Sequence, residues 1–195
     1  MTPSRGSEPV EITDPVDMNM GGEIEKVLIH EESLRSRVRE LGEEISLDYE
    51  NQSPIVVGVL KGSFVFLADL IRTIHIPITM DFMTVESYSS ASSTGNVVVT
   101  HDIGIDVTGR HVLLVEDIVD TGLTLSRLTD ILSARNPATL ELCALLQKRN
   151  DSCTCRELKY IGFRIPDVYV VGYGLDYDGN YRNLPFVGIL RGLSI

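Results

Sequence analysis

The run Val112-Leu113-Leu114-Val115-Glu116-Asp117-Ile118-Val119-Asp120-Thr121-Gly122-Leu123-Thr124 joins an apolar stretch to two carboxylates and a turn of small residues. Val112 to Val115 reads as a strand buried on both faces, because apolar residues follow one another without alternation. Leu125, Leu128, Ile131 and Leu132 then recur at helical spacing, which predicts a helix and leaves Asp120 to Thr124 as the turn between the two. Gly122 lets the backbone come close to a ligand. Amide N–H groups at the helix N-terminus, with the Thr121 and Thr124 hydroxyls, can surround one phosphate, and the positive end of the helix dipole favours its charge. The turn has no lysine. It therefore departs from GxxxxGK[ST] at the most diagnostic residue, and a nucleoside-triphosphatase is excluded. Glu116 and Asp117, which only accept hydrogen bonds when ionised, suit hydroxyl groups rather than phosphate. A phosphorylated sugar meets both demands, with its phosphate on the turn and its vicinal diol on the carboxylates.

Outward from this stretch, strands and helices alternate. Between Glu31 and Tyr49, Leu34, Val38, Leu41 and Ile45 are spaced by four, three and four, which predicts an amphipathic helix. Ile55 to Leu60 reads as a buried strand that runs into Lys61-Gly62-Ser63, followed by a helix with Phe64, Leu67, Ala68 and Ile71 on one face. Ile78 to Tyr88 is a further strand, Ser89 to Asn96 a mobile polar loop, and Val97 to Thr100 the return from it. The helix after the decisive turn runs to Ala134, Leu140 to Leu146 makes another strand, and Val168 to Gly172 is assigned as the last strand of the core. This order predicts an α/β fold, a mostly parallel sheet with helices on both faces and ligands beyond the carboxyl ends of the strands. Asp176 to Ile195 is left over as a small lobe near that edge. Residues 1–22 mix Pro, Gly, Ser and acids without period and are expected to form a disordered tail, with residues 23–195 as one domain.

Composition narrows the classes. A formal net charge of −11 argues against a nucleic-acid partner, whose phosphates must be neutralised by Lys and Arg. No stretch approaches the ~20 apolar residues of a membrane span, and no signal peptide is visible, so a cytoplasmic location is expected. Cys143, Cys153 and Cys155 lack zinc-site spacing and read as reduced thiols. His30, His75, His101 and His111 are scattered and read as structural or surface residues.

A second constellation concerns an acceptor. Lys148 stands at the end of a strand, and Tyr169-Val170-Val171 leads to Asp176. An aromatic face stacks on any base, whereas an ammonium group only donates hydrogen bonds, so Lys148 would select a 6-oxo over a 6-amino group. Taken singly, Tyr169 also fits a core aromatic and Lys148 a solvated strand end.

The strand, the acidic pair and the DTGLT turn resemble the phosphoribosyl-diphosphate signature of type I phosphoribosyltransferases. With the second constellation, residues 24–190 resemble the hypoxanthine-guanine members of that family, bacterial ones in the Asn183-Leu184-Pro185-Phe186-Val187-Gly188 ending. The resemblance implies a small hood lobe made by the two ends of the chain. It also implies transfer of 5-phosphoribosyl from its diphosphate to N9 of hypoxanthine or guanine, releasing pyrophosphate in purine salvage. Asp120 then matches the general base, Glu116 and Asp117 the ribose-diol carboxylates, and Thr121, Gly122, Leu123 and Thr124 the 5′-phosphate loop. Lys61 and Gly62 match the diphosphate-contacting loop, Arg182 a further diphosphate contact, and Ser87 with Tyr88 the pair that closes over the site. Lys148 matches the residue facing the purine O6, Tyr169 the stacking position, and Val170 a backbone contact. Asp176 falls in the purine site and, with Glu116 and Asp117, among ligands of Mg²⁺. Mg²⁺ also answers how so acidic a chain holds a polyanion. A homodimer or homotetramer is implied as well. Two other readings stay open: a nucleotide-sensing regulator on the same fold, against which the missing basic patch counts, and a relative preferring xanthine or a pyrimidine.

Overall fold

The computed structural model describes residues 24–87, 97–149 and 157–192. Nine strands and three helices are formed among them, in the order β1 (Ile24–Ile29), α1 (Glu31–Asp48), β2 (Ile55–Leu60), α2 (Phe64–Ile71), β3 (Thr79–Ser87), β4 (Val97–His101), β5 (His111–Val119), α3 (Leu123–Ser133), β6 (Thr139–Lys148), β7 (Tyr160–Ile165), β8 (Val170–Val171) and β9 (Val187–Leu190). Six strands build the main sheet in the order β4-β3-β2-β5-β6-β7, and a second sheet runs β1-β9-β8. All main-sheet pairings are parallel apart from β3 with β4. The central strand β5 pairs Val112 to Val115 with β2 on one side and β6 on the other. Its apolar residues therefore bury both faces, as the unalternated run requires.

The two faces make two cores. Leu113, Val115, Cys143 and Leu145 point to the side covered by α1, through Leu34, Val38, Leu41 and Ile45, and by α2, through Phe66, Leu67 and Leu70. Val112, Leu114, Leu142 and Ala144 point to the other side, against Leu125, Leu128 and Leu132 of α3. Helices on both faces are thus observed, and the parallel strands β2, β5 and β6 end at one edge of this sandwich, where Lys61, Asp120 and Lys148 stand.

Two sequence expectations need correction. α2 buries Phe66, Leu67 and Leu70, while Phe64 is 45% exposed and Ala68 also faces outward. Its sequence is apolar almost all round, so spacing alone fits more than one face. Val168 to Gly172 is not a strand of the main sheet, since Val170 and Val171 pair with Ile189 and Gly188 of β9 in the small sheet. The main-sheet edge is instead β7, whose burial alternates irregularly because Arg164 lies exposed on an otherwise buried segment. The small lobe itself is formed as expected, with β1 from the amino-terminal part beside β9 near the other end. The tail over residues 1–22, the loop Ser89–Asn96, Tyr88, Cys153 and Cys155 lie outside the described residues. Among the described residues no helix is long and apolar enough to cross a membrane.

Candidate active site

β5 delivers Glu116 and Asp117 just before its carboxyl end, and Asp120 to Gly122 turn the chain into α3. Gly122 sits at φ 79° immediately before the helix, a left-handed conformation that a Cβ penalises, and the first helical amide, that of Leu123, donates to Thr121 Oγ1 at a long 3.5 Å. At this helix start lies a pocket of about 120 Å³ lined by Glu116 and the residues from Ile118 to Leu125. Backbone amides at a helix N-terminus suit an anion.

The acidic pair is strongly perturbed. Glu116 is 7% exposed, and burial first, then the charge of Asp117 beside it, holds its carboxyl well above the usual carboxylate range. Burial raises Asp117 as well, against the Ile118 N–H that donates to it at 2.9 Å and the nearby Arg182 charge. Two adjoining carboxylates with little water are a standing demand for hydroxyl donors or a cation.

The Lys61-Gly62 loop reaches this pair from β2, through a cis Leu60–Lys61 peptide bond. A Cβ placed on Gly62 would lie 1.6 Å from Asp117 Oδ2, so the Asp117 carboxylate rests directly on the Gly62 backbone. Gly174 of the small lobe packs on the same point from the other side, where its Cβ would meet the Gly62 carbonyl oxygen at 2.2 Å. Arg182 donates to the Gly174 carbonyl oxygen at 2.6 Å and pairs with Asp176 at 2.5 Å. The lobe is thereby pinned over the Lys61-Gly62 loop, with its guanidinium close enough to act on Asp117.

Asp176 does not join Glu116 and Asp117 in a common ligand set. Its carboxylate is taken up by Arg182 and by the Gly179 N–H at 2.8 Å, and among the described residues no group of three or more His, Cys, Asp or Glu could hold an ion. The acidic pair alone still fits Mg²⁺, whose habit is one or two carboxylates completed by substrate phosphates and water.

Lys148, at the last position of β6, is 8% exposed rather than solvated. Its ammonium lies 3.0 Å from Asp120 Oδ2 and 3.0 Å from Asp167 Oδ1. Burial works against its charge, but the two carboxylates outweigh that and hold the pKa above the ordinary lysine value. Tyr169 follows two residues after Asp167, stands edge-on to the Tyr177 ring at 5.5 Å, and feels the Lys148 charge. Val170 is buried in the core beside it. Asp117, Gly62 and Arg182 are thus brought together with Glu116, Lys148 joins Asp120 near Tyr169, and the Tyr169 hydroxyl donates to the Asp176 carbonyl oxygen at 3.4 Å. Ser87 ends β3, its side chain and Tyr88 lying outside the described residues. Sequence reasoning missed Asp167 and Gly174. For Asp167 the available signal was a Pro-Asp step directly after an apolar segment; Gly174 offered none beyond being a glycine.

Comparison with known proteins agrees with this geometry. The family described as "Phosphoribosyl transferase domain" matches residues 25–178. The hypoxanthine-guanine phosphoribosyltransferase of Bacillus subtilis is 43% identical over 173 residues, covering 88% of this chain and 96% of that one. The bifunctional protein TilS/HprT of Listeria innocua is 45% identical over 174 residues, and this chain spans 27% of its length and 89% of its own. Among solved structures, a hypoxanthine phosphoribosyltransferase from Staphylococcus aureus superimposes with a TM-score of 0.85 at 41% identity, covering 91% of this chain and 97% of that one. With a family match over residues 25–178 and relatives at 43% and 41% identity covered nearly whole, the chain belongs to the phosphoribosyl transferase family.

Proposed function

We propose that this chain transfers the 5-phosphoribosyl group of 5-phosphoribosyl diphosphate to N9 of hypoxanthine or guanine, giving IMP or GMP and pyrophosphate. The observation that carries the reading is the buried Lys148 ammonium at 3.0 Å from Asp120, a donor-only group beside a carboxylate at the mouth of the phosphate turn. In the reaction the C1′–O bond to diphosphate breaks and the N9–C1′ bond forms, and the proton on the purine passes to Asp120. The amides from Thr121 to Thr124 hold the 5′-phosphate, and Glu116 and Asp117 accept from the ribose hydroxyls. The Gly62 backbone, Lys61 and Arg182 face the leaving diphosphate, where their charge counts most as that group gains charge. Mg²⁺, held by Glu116 and Asp117 together with substrate oxygens, would neutralise the diphosphate when bound. Tyr169 stacks on the base and Lys148 donates to its O6. Ser87 and Tyr88 would close the site against water.

The proposed setting is the cytoplasm, where the buried free thiol of Cys143 stays reduced, and the proposed assembly is a dimer or tetramer of this chain. A pyrophosphate-release assay with Mg²⁺, sugar diphosphate and each base tests the reading. Release with hypoxanthine and guanine is expected. Replacing Lys148 by Met should depress it far more than it weakens sugar-diphosphate binding, because the 6-oxo acceptor loses a charged donor worth about 1.5–3 kcal/mol. Unchanged base selectivity in that variant would remove Lys148 from recognition.

A further inference from the structure

Lys148 has two carboxylate partners, and the proposed chemistry uses one of them. Asp120 sits on the phosphate turn and must become neutral when it takes the purine proton. Its ion pair with Lys148 then disappears at the moment the base is being fixed. Asp167 is built differently. It follows Ile165-Pro166, and Ile165 is the register partner of Lys148 across β6 and β7. Arg149 N–H donates to the Ile165 carbonyl oxygen at 2.9 Å and Val168 N–H to that of Pro166 at 3.0 Å, while the proline ring fixes φ between them. The Asp167 carboxylate is therefore carried by a tied segment outside the pocket that surrounds the phosphate turn.

Resting on the transfer reaction above, we propose that Asp167 is the positioning residue of base recognition: it anchors the Lys148 ammonium while the charge of Asp120 changes. Of the three N–H donors of Lys148, one stays on Asp167, one is exchanged by Asp120, and one is directed to the purine O6. Asp167 touches neither base nor sugar and acts through Lys148. It sets how well a 6-oxo group is told from a 6-amino group, because an ammonium held in place cannot swing away from an unmatched donor.

The test is a steady-state comparison of wild type with Asp167→Asn, Asp167→Ala, Asp167→Glu, Lys148→Met and the Lys148→Met/Asp167→Asn pair. Asp167 is 42% exposed at its side chain, so these variants should melt close to wild type. Losing a charge-assisted anchor should raise KM for hypoxanthine and guanine by about tenfold, with KM for the sugar diphosphate within about twofold. Adenine should be rejected less sharply, and Asp167→Glu should recover part of the loss. In the Lys148→Met background Asp167→Asn should add nothing, as a residue acting through Lys148 requires. Base KM unchanged in Asp167→Asn and Asp167→Ala, an equal rise in both KM values, or additive losses in the double variant would each overturn the anchor while leaving the transfer reaction standing. Failure of wild type with every base would instead overturn the reaction and the anchor with it.

Discussion

Asp120 and Lys148 carry opposite charge at 3.0 Å, yet they are asked for different chemistry. In the proposed transfer, one exchanges a proton and the other keeps all of its own. Replacing Asp120 by Asn keeps the shape of the side chain and its place at the helix entrance but removes the proton acceptor. Turnover should fall by roughly 10²–10⁴, the worth of a positioned acid-base group, with sugar-diphosphate affinity nearly intact. Single-turnover measurements would check this; a loss within a few-fold would reduce Asp120 to a structural partner of Lys148. The strand end and turn that carry Glu116, Asp117 and Asp120 were legible in the run of residues around them, because a continuous apolar segment giving way to helical spacing fixes where the turn falls. Lys148 was legible by its position but not by its burial. Asp167 was invisible, because the ion pair joins residues from two neighbouring strand ends and the strand before Asp167 was not recognised.

At the scale of elements, the strand-turn-helix of β5 and α3 was readable because its period changes from continuous apolar to helical within five residues. α1 was readable for the same reason. β7 was not, since an edge strand with an exposed Arg164 has neither a continuous nor an alternating pattern, and the loss of β7 sent β8 to the wrong sheet. The contact of the Gly62 loop with β5 also lies beyond sequence reading. It predicts that Gly62→Ala, whose Cβ would fall on the Asp117 carboxylate, must displace either the loop or the acidic pair. The expected result is at least a tenfold rise in KM for sugar diphosphate, from a geometric error next to the chemistry. Equal kinetics in variant and wild type would separate this loop from the diphosphate. α3, which presents the phosphate turn, is tied at its far end by Arg135 to Asp102, 2.5 Å apart. Arg135 lowers the Asp102 carboxyl below its usual range, so the stabilisation exists above the unfolded pKa and is lost as pH falls through the folded one. Asp102→Asn should therefore melt lower than wild type at pH 7 by an amount worth up to about 1 kcal/mol, as for a half-exposed pair. That gap should close on acidification below the carboxylate range. A gap that widened in acid would contradict the pairing.

For the whole molecule, the main sheet places Lys61, Glu116, Asp117, Asp120 and Lys148 at or just beyond the carboxyl ends of its parallel strands, while Asp176 and Arg182 lie on the segment between β8 and β9 of the small sheet. Gly174 against Gly62 is where the two meet. In the proposed reaction, the net charge of −11 is offset for a polyanionic substrate locally, by the amides of the turn before α3 with Lys61 and Arg182. The two other readings differ in what the cleft would do with its ligands. A regulator would hold the sugar diphosphate and turn nothing over, and a pyrimidine-directed relative would leave purines unused. The most direct measurement supplies the purified chain with Mg²⁺, limiting 5-phosphoribosyl diphosphate and an equimolar mixture of hypoxanthine, guanine, adenine and uracil, and separates the nucleotides formed. IMP and GMP should accumulate in step with pyrophosphate, with AMP and UMP absent. AMP formed alongside IMP, or no nucleotide from any base despite tight binding of the sugar diphosphate, would contradict 6-oxopurine transfer.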